Sequence, residues 1–312
     1  MRKWLALTAA GVMALGVAAC GDDEESSGGG GGGELSGNIR IDGSSTVQPF
    51  AQAALELFQQ ENPEVKITVG GAGTGDGFEK FCRGETDISN ASRAIEEDET
   101  KLCTQGKVKP IEVQVANDGI TVVSNKELKA DCLTVEQLKS VFNKGAKATT
   151  LVDVDPKLPD AELALFTPGS ESGTFDFFTD EINGEEGVQR TGSVVQTSPN
   201  DNVLVNGVSG EPGGLGYFGY SFYEQNQDKL NAVGIDSGSG CVKPSVETIQ
   251  SGDYKPLSRP LFMYPSEKSL AKPQVKGFLT FVTEKYSEIA DAAKIVPMNQ
   301  QQATEAKGKL GG

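Results

Sequence analysis

Three short stretches decide the fold: GSSTV at residues 43–47, GAGTGDGF at residues 71–78 and GSESGTF at residues 169–175. Each places glycines and hydroxyl side chains between a run predicted to be a strand and a run predicted to be a helix. The first turn of a helix leaves backbone N–H groups unpaired beside the positive end of the helix dipole, and glycine lets an anion approach that backbone closely. Three such junctions in one chain favour a protein that holds an oxyanion.

The segments around these junctions alternate between the periodicities of strand and helix. The apolar side chains within residues 50–58 fall on one face of a helix, which places Ser45 or Thr46 at its cap. Residues 65–69 alternate as a strand before the second junction, and the same order repeats at the third. Strand, polar turn and helix in succession predict α/β lobes with mainly parallel sheets, which bind ligands at the carboxyl ends of their strands.

None of the junctions matches a nucleotide or nucleophile motif. Asp76 stands where the dinucleotide fingerprint needs its last glycine, and no Gly-Lys-Ser/Thr follows as in a P-loop. Glu171 occupies the central position of GSESG, where a nucleophile elbow requires serine. Two interpretations remain, anion binding without chemistry and ordinary helix capping by Ser, Thr and Gly.

The amino-acid composition argues against several kinds of catalysis and binding. The 312 residues include no histidine, which removes the usual general base, the Ser-His arrangement and the commonest metal ligand. The net charge of −16 argues against nucleic acid as a partner and against attraction of anions at long range. An oxyanion would therefore have to be held by local hydrogen bonds.

The N-terminus has the form of an export signal. Arg2 and Lys3 precede an apolar stretch at residues 4–17, which is too short for a membrane span, and VAAC at residues 17–20 has the form of a bacterial lipobox. We predict a lipoprotein signal peptide over residues 1–20, with Cys20 as the lipid-bearing residue. The alternative is an ordinary secretory signal whose cysteine is incidental. The acidic and glycine-rich residues 21–36 then form a flexible tether.

Four cysteines follow the tether. In an exported chain an even number of cysteines predicts two disulfides, for which three connectivities are possible. A structural zinc site is the alternative, but the paired short spacing and any histidine are missing. No metal or cofactor is expected.

Six motifs, in family order, resemble the PstS family, the phosphate-binding components of ABC-type phosphate importers, and in particular its SphX-like branch. The resemblance covers residues 38–281. The motifs are GSSTV, ETDISNASR (85–93), GSESGTFDFF (169–178), NDNVLVNGVSG (200–210), GGLGYFGYSFY (213–223) and PLSRPLF (256–262).

The resemblance implies a two-lobed periplasmic-binding-protein-like fold with mixed, mainly parallel sheets and a hinge of two crossing strands. Lobe one would comprise residues 37–113 and 260–312, and lobe two residues 114–259. The strands would cross near residues 113–116 and 256–262. With these lobes, the pairing of Cys82 with Cys103 and of Cys132 with Cys241 is favoured, because each bridge then stays within one lobe.

In this family, hydroxyls and backbone N–H groups from both lobes bury the phosphate. Carried over motif by motif, the resemblance implicates Ser45, Thr46, Thr74, Ser172, Gly173 and Thr174. It also implicates Arg93, whose guanidinium can form a bidentate contact with two phosphate oxygens. An unrelated surface position is the alternative reading of Arg93.

Two departures from the family pattern affect the site. Many members carry an arginine shortly before the Ser-Gly-Thr motif, where this chain has Thr167, Pro168 and Gly169, so Arg93 is predicted to be the cationic contact. Some members also place near the Arg93 position an aspartate that accepts the proton of phosphate and so rejects sulfate. Asp42, Asp76 and Asp118 are the candidates to replace it.

The resemblance implies high-affinity capture of inorganic phosphate outside the cytoplasm and its delivery to an ABC permease and ATPase. The protein would be a monomer, held by its N-terminal lipid at the outer face of the cell membrane, and would have no catalytic residues. Three alternatives are a binding protein for another oxyanion such as sulfate or molybdate, a sensor or adhesin with the same fold, and a secreted phosphatase with Ser45 or Ser172 as nucleophile.

Overall fold

The computed structural model describes residues 35–311. The predicted signal peptide, the lipid-bearing Cys20 and nearly all of the predicted tether lie outside the described residues. Within the described part of the chain, no helix is long and apolar enough to span a membrane.

Strands and helices alternate along most of the chain. The strands are β1 (Gly37–Gly43), β2 (Val65–Val69), β3 (Ile88–Ala91), β4 (Val113–Asn125), β5 (Cys132–Thr134), β6 (Ala164–Thr167), β7 (Val195–Thr197), β8 (Gly214–Gly219), β9 (Leu230–Ala232), β10 (Gly234–Asp236), β11 (Cys241–Val242) and β12 (Ser258–Pro265). The helices are α1 (Gln48–Glu61), α2 (Thr74–Cys82), α3 (Glu97–Gln105), α4 (Val135–Phe142), α5 (Gly173–Phe178), α6 (Asp201–Gly210), α7 (Tyr220–Glu224), α8 (Val246–Ser251), α9 (Glu267–Leu270), α10 (Pro273–Glu284), α11 (Tyr286–Ala293) and α12 (Gln300–Lys309). A 3₁₀ turn at Leu151–Asp153 and a π-helical turn at Thr179–Asn183 complete the description.

The main sheet is mixed, with the order β2-β1-β3-β12-β4-β8-β6-β7 and β9 beside β4. Parallel pairs form its two outer parts, β2-β1-β3 and β8-β6-β7, whereas β12 and β4 run antiparallel to their neighbours. The strands β5, β10 and β11 form a second, smaller sheet. The predicted class, an α/β two-lobed fold with two crossing strands, is confirmed.

The long strand β4 connects the two parts of the main sheet. It pairs with β12 as far as Gly119 and with β8 from Ile120 onward. The change of partner therefore comes slightly further along the chain than the predicted crossing at residues 113–116. A hinge at this position places the ends of several strands and helices from both parts around one cleft.

Each part of the sheet has its own apolar core. Ile39, Phe50 and Phe278 are fully buried in the core around β1, α1 and α10, and Phe178 and Tyr217 are fully buried in the core around α5 and β8. A fully buried side chain of this size contributes about 1.5 to 3 kcal/mol by its removal from water. Two separate cores are what a two-lobed molecule requires.

The C-terminal segment contacts both cores. Val296 is buried with the core around α5 and β8, whereas Met298 is buried with the core around β1 and α10. The side-chain amides of Asn117 on β4 and Gln302 on α12 donate to each other's oxygens, both at 3.1 Å. The segment is therefore a further connection across the hinge, beside β4 and β12.

Both favoured disulfides are present. Cys82–Cys103 joins α2 to α3, and Cys132–Cys241 joins β5 to β11. In the chain-entropy model, sequence separations of 21 and 109 residues correspond to stabilisation of about 3 and about 5 kcal/mol. The pairing predicted from the lobes is confirmed.

Candidate anion-binding site

A cavity of about 590 Å³ lies between the two parts of the molecule. The turn at residues 44–46, the start of α2, the loop at residues 92–94, the start of α5 and the start of β12 all line it. The sequence separates the first of these segments from the last by more than two hundred residues, as the 213 positions between Thr46 and Arg259 show, yet the sheet brings their ends to one place. The three glycine and hydroxyl junctions predicted from the sequence thus meet at a single cavity.

The first junction presents backbone donors to the cavity. Ser44 donates its N–H to the carbonyl of Asn90 at 2.9 Å, which fixes the turn against β3. Within residues 35–311, the N–H groups of Ser45 and Thr46 have no hydrogen-bond acceptor. Gly43 has a φ of +134°, and a Cβ placed there would lie 2.1 Å from the Asn90 carbonyl oxygen. Only glycine therefore allows this turn to approach β3.

The second junction begins α2, with Gly73 at its cap in a left-handed conformation, φ +104°. The Gly73 N–H donates to the Gly43 carbonyl at 2.9 Å and so joins the second junction to the first. Thr74 lines the cavity, but its hydroxyl also lies 3.1 Å from the Ser92 hydroxyl. A ligand would share the Thr74 hydroxyl with Ser92.

The third junction faces the first across the cavity. Gly173 lines the cavity, and a Cβ placed on it would lie 2.4 Å from Thr46 Oγ1 and 2.9 Å from Ser45 Oγ. Ser172 caps α5 by accepting a hydrogen bond from the Thr174 N–H at 3.2 Å, and neither of these two residues lines the cavity. Of the three residues predicted here, the structure brings Gly173 into direct contact with the first junction.

Arg93 lies at the edge of the cavity with its guanidinium engaged by carboxylates. It donates to both oxygens of Glu99 at 2.8 and 2.9 Å, and its Nε lies 3.2 Å from Glu96. The hydrogen bond to Glu99 raises the pKa of Arg93. The side chain is 40% exposed. This arrangement ties the loop after β3 to the start of α3.

Arg259 is a residue of the cavity that the sequence did not predict. It lies on β12 opposite Asp118 of β4, and its side chain is 16% exposed. Its Nε is 3.2 Å from Asp118, and Nη2 donates to Thr46 Oγ1 at 2.8 Å. In the sequence, PLSRPLF was interpreted only as a hinge strand. Arg259 is the one charged residue in a strand sequence that is otherwise uncharged, SRPLFMYP, and this is the signal that could have identified it.

The three predicted aspartates occupy different environments. Burial would raise the pKa of Asp42, but hydrogen bonds from Lys80 and from the N–H groups of Ala72 and Gly43 lower it, and Asp42 does not line the cavity. Asp118 is held by Arg259. Asp76 lines the cavity and is exposed. Of the three predicted candidates, only Asp76 therefore presents an uncommitted carboxylate to the cavity.

Asp176 also lines the cavity and was not predicted. It follows Gly173 by three residues on α5 and is partly buried. Burial, followed by the charge of Glu186, raises the pKa of Asp176, and Arg259 acts against the shift. Within residues 35–311 no cluster of carboxylates and cysteines is arranged to hold a metal ion. The cavity therefore combines hydrogen-bond donors and one largely buried cation with five carboxyl groups, which belong to Asp76, Asp176, Asp180, Glu181 and Glu186.

Comparison with known proteins gives consistent matches over nearly the whole chain. A family model described as a PBP superfamily domain matches residues 29–285. Phosphate-binding protein PstS of Staphylococcus saprophyticus is 40% identical over 315 residues, which cover 99% of this chain and 95% of that protein. Protein SphX of Synechococcus elongatus is 39% identical over 86% of this chain and 80% of that protein.

Solved structures agree with the fold. The crystal structure of a possible phosphate binding protein from Planctomyces limnophilus superposes with a TM-score of 0.83 at 39% identity, covering 89% of this chain and 98% of that one. An ABC-type phosphate transport receptor from Vibrio cholerae has a TM-score of 0.68 at 22% identity, over 83% of this chain and 99% of that one. The second likeness concerns the fold alone.

Proposed function

The chain belongs to the PstS family of the PBP superfamily, in its SphX-like branch, and we propose that it captures inorganic phosphate outside the cytoplasm and delivers it to an ABC-type permease. The relatives named above include a phosphate-binding protein and, among the solved structures, a possible phosphate binding protein. Both descriptions fit a chain whose glycine and hydroxyl junctions converge on one cavity.

One observation supports the proposal above the others. The N–H groups of Ser45 and Thr46 have no acceptor within the described residues, and Gly173 meets this turn so closely that a Cβ on it would lie 3.0 Å from the Thr46 nitrogen. Backbone donors and hydroxyls that converge in this way can surround a tetrahedral oxyanion without a metal ion. In the proposed complex Ser45, Thr46 and Thr74 contact the phosphate from one side and Gly173 from the other.

The remaining predicted residues are assigned supporting positions. Ser172 and Thr174 hold the start of α5 in place through the bond between them, so that Gly173 points its backbone at the ligand. Arg93 holds the loop at residues 92–94 at the edge of the cavity through its contacts with Glu99 and Glu96. The lobes are proposed to be residues 37–113 with 260–312, and residues 114–259, with Val296 reaching from the first into the core of the second.

Binding is proposed to close the molecule about β4 and β12. In the open form phosphate would first rest on Ser45, Thr46 and Thr74, and closure would bring Gly173 onto it. Closure excludes water, and charge-assisted hydrogen bonds are stronger in the lower dielectric that results. The ligand shifts the equilibrium only to the extent that it prefers the closed state. A permease that recognises the closed form would then accept only loaded protein.

We assign selectivity for a protonated oxyanion to Asp176. A carboxylate in the cavity can accept the proton of hydrogen phosphate, whereas it repels sulfate, which carries no proton at neutral pH. Burial, followed by the charge of Glu186, raises the pKa of Asp176, so a proton donor on the ligand would stabilise its carboxylate. The hydroxyl of hydrogen phosphate would be such a donor, and sulfate has none.

The place of action follows from the N-terminus. Cleavage before Cys20 and lipidation of that cysteine would anchor the protein at the outer face of the membrane, and residues 21–36 would let the folded part reach a permease. No turnover of substrate is expected from a protein of this family.

Calorimetric titration of the chain without residues 1–20 tests the function. We expect saturable heat with phosphate and arsenate and none with sulfate or molybdate. Heat with sulfate but not phosphate would instead assign the protein to another oxyanion. Steady hydrolysis of a phosphate ester would favour the phosphatase alternative.

A further inference from the structure

We infer that Arg259, rather than Arg93, is the cationic residue that binds the ligand. The inference rests on the proposed function, because it concerns which side chain of the same cavity takes the charge of the oxyanion. Both arginines line the cavity, and the two differ in burial, in their partners and in the direction of their free donors.

Arg259 is a largely buried charge with limited compensation. Its side chain is 16% exposed, and the guanidinium carbon lies 3.7 Å from the centre of the Phe177 ring. Its carboxylate partner, Asp118, is contacted through Nε alone, at 3.2 Å, and not by the two-donor face of the guanidinium. Burying a guanidinium costs several kcal/mol unless a partner compensates it. A ligand anion would supply the missing compensation.

The donors that Asp118 leaves free lie at the converging junctions. Nη2 donates to Thr46 Oγ1 at 2.8 Å and lies 3.4 Å from the carbonyl oxygen of Gly173. Both of these acceptors are uncharged. A guanidinium carries five N–H donors and binds oxyanions in preference to neutral oxygens. The donors of Arg259 are thus placed where the backbone donors of Thr46 and Gly173 also meet.

A neighbouring hydroxyl supports the same position. Ser258 precedes Arg259 on β12 and lines the cavity, and its hydroxyl oxygen is buried with no hydrogen-bond partner among the described residues. A buried hydroxyl without a partner costs free energy, so Ser258 marks a polar position next to Arg259 in the chain that no described residue satisfies.

Arg93 lacks these properties. Its side chain is 40% exposed, and two of its nitrogens already form a bidentate contact with Glu99, while Nε lies against Glu96. To bind Arg93, a phosphate would have to displace the carboxylates of Glu99 and Glu96, which belong to the protein itself and lie beside the guanidinium. Arg93 therefore acts as a positioning residue, which holds the loop at residues 92–94 beside the cavity.

The positive charge of Arg259 also offsets negative charge in the wall of the cavity. Asp176 and Glu181 line the same cavity, and burial raises the pKa of both carboxyl groups. Arg259 opposes this shift in both cases. Without Arg259, the wall formed by these carboxyl groups would repel any oxyanion. With it, a cation lies 2.8 Å from Thr46 Oγ1, on the side of the cavity where the first junction would hold the anion.

Matched variants of the two arginines test the inference. Arg259→Lys, Arg259→Gln and Arg93→Gln are titrated by calorimetry with phosphate, after thermal unfolding without ligand shows which variants fold. We expect phosphate to bind at least about 100-fold more weakly to Arg259→Gln, since hydrogen bonds to a charged group are lost. Arg259→Lys keeps the charge and should recover part of the loss, and Arg93→Gln should bind within about 5-fold of the parent chain.

Three outcomes would overturn the assignment. These are a 100-fold loss in Arg93→Gln with little change in Arg259→Gln, equal losses in both, and an Arg259→Gln variant that folds and binds like the parent chain. If Arg259→Gln does not fold, Arg259→Lys and Arg93→Gln decide between the two arginines. If the parent chain binds sulfate and not phosphate, the proposed function is wrong, and the same variants titrated with sulfate still test the role of Arg259.

Discussion

Replacement of Gly173 by alanine should separate binding from folding. Gly173 lies at the start of α5 with an ordinary φ, so alanine is compatible with the helix itself. Its Cβ, however, would lie 2.4 Å from Thr46 Oγ1, about 1 Å closer than ordinary contact. This contact joins two junctions that belong to different parts of the molecule. The clash should therefore destabilise the closed arrangement of the two parts, and should leave the packing of each apolar core unchanged.

The size of the effect follows from the contacts that closure makes. If the lobes stay about 1 Å further apart, the Gly173 N–H and one neighbouring charge-assisted bond no longer reach the ligand. At about 1.5 kcal/mol each, their loss weakens phosphate binding by about 3 kcal/mol, or about 100-fold. The unfolding temperature without ligand should stay the same or rise slightly, because alanine is favoured over glycine in a helix.

The assay compares Gly173→Ala with Gly308→Ala. A Cβ at Gly308, on α12, meets nothing within 4 Å, and this position is exposed and remote from the cavity. Both variants are titrated with phosphate by calorimetry and melted without ligand. A Gly173→Ala variant that binds phosphate as the parent chain does would refute the cross-cavity contact, as would an equal loss in Gly308→Ala.

Three further predictions concern selectivity, stability and location. Asp176→Asn should bind sulfate at least about 10-fold more tightly than the parent chain. The sulfate affinity of the parent chain should itself rise as the pH falls through the raised pKa of Asp176, since protonation removes a charge that faces the anion. If the variant's sulfate affinity and its pH profile are both unchanged, Asp176 does not have this role. Gln302→Leu should lower the free energy of unfolding by about 1 to 3 kcal/mol in a denaturant titration, because Asn117, which is 2% exposed, loses its two amide hydrogen bonds to Gln302. The control is Gln301→Leu at an exposed position, which should change the free energy of unfolding by less than about 0.5 kcal/mol. Cys20→Ser should move the protein from the membrane fraction to the soluble fraction on cell fractionation, and retention in the membrane would argue against lipidation at this residue.

Much of the fold could be predicted from local patterns. The glycine and hydroxyl junctions, the helical stripe after residue 50 and the strand at residues 65–69 depend on neighbours in the sequence, and all of them are present. The disulfide pairing followed from the predicted lobes. The junctions, the helical stripe and the strand are local features that the sequence pattern carries directly, whereas the lobes came from the resemblance to the PstS family.

The contacts of Arg259 could not be predicted in this way. Arg259 donates to Thr46 across 213 positions of sequence, and it faces Asp118 through the register of two antiparallel strands. No periodicity in the chain encodes that register. The pairing of Arg93 with Glu99, by contrast, lies within six residues, and the acidic run at residues 96–99 could have indicated that Arg93 is already engaged.

The most direct test of the account is a crystal structure of the protein grown with phosphate. We predict one tetrahedral ion in the cavity, within hydrogen-bond distance of the N–H groups of Ser45, Thr46 and Gly173 and of the Arg259 guanidinium. An ion held by Arg93 outside these contacts, or a cavity that stays empty while calorimetry shows binding, would contradict the account.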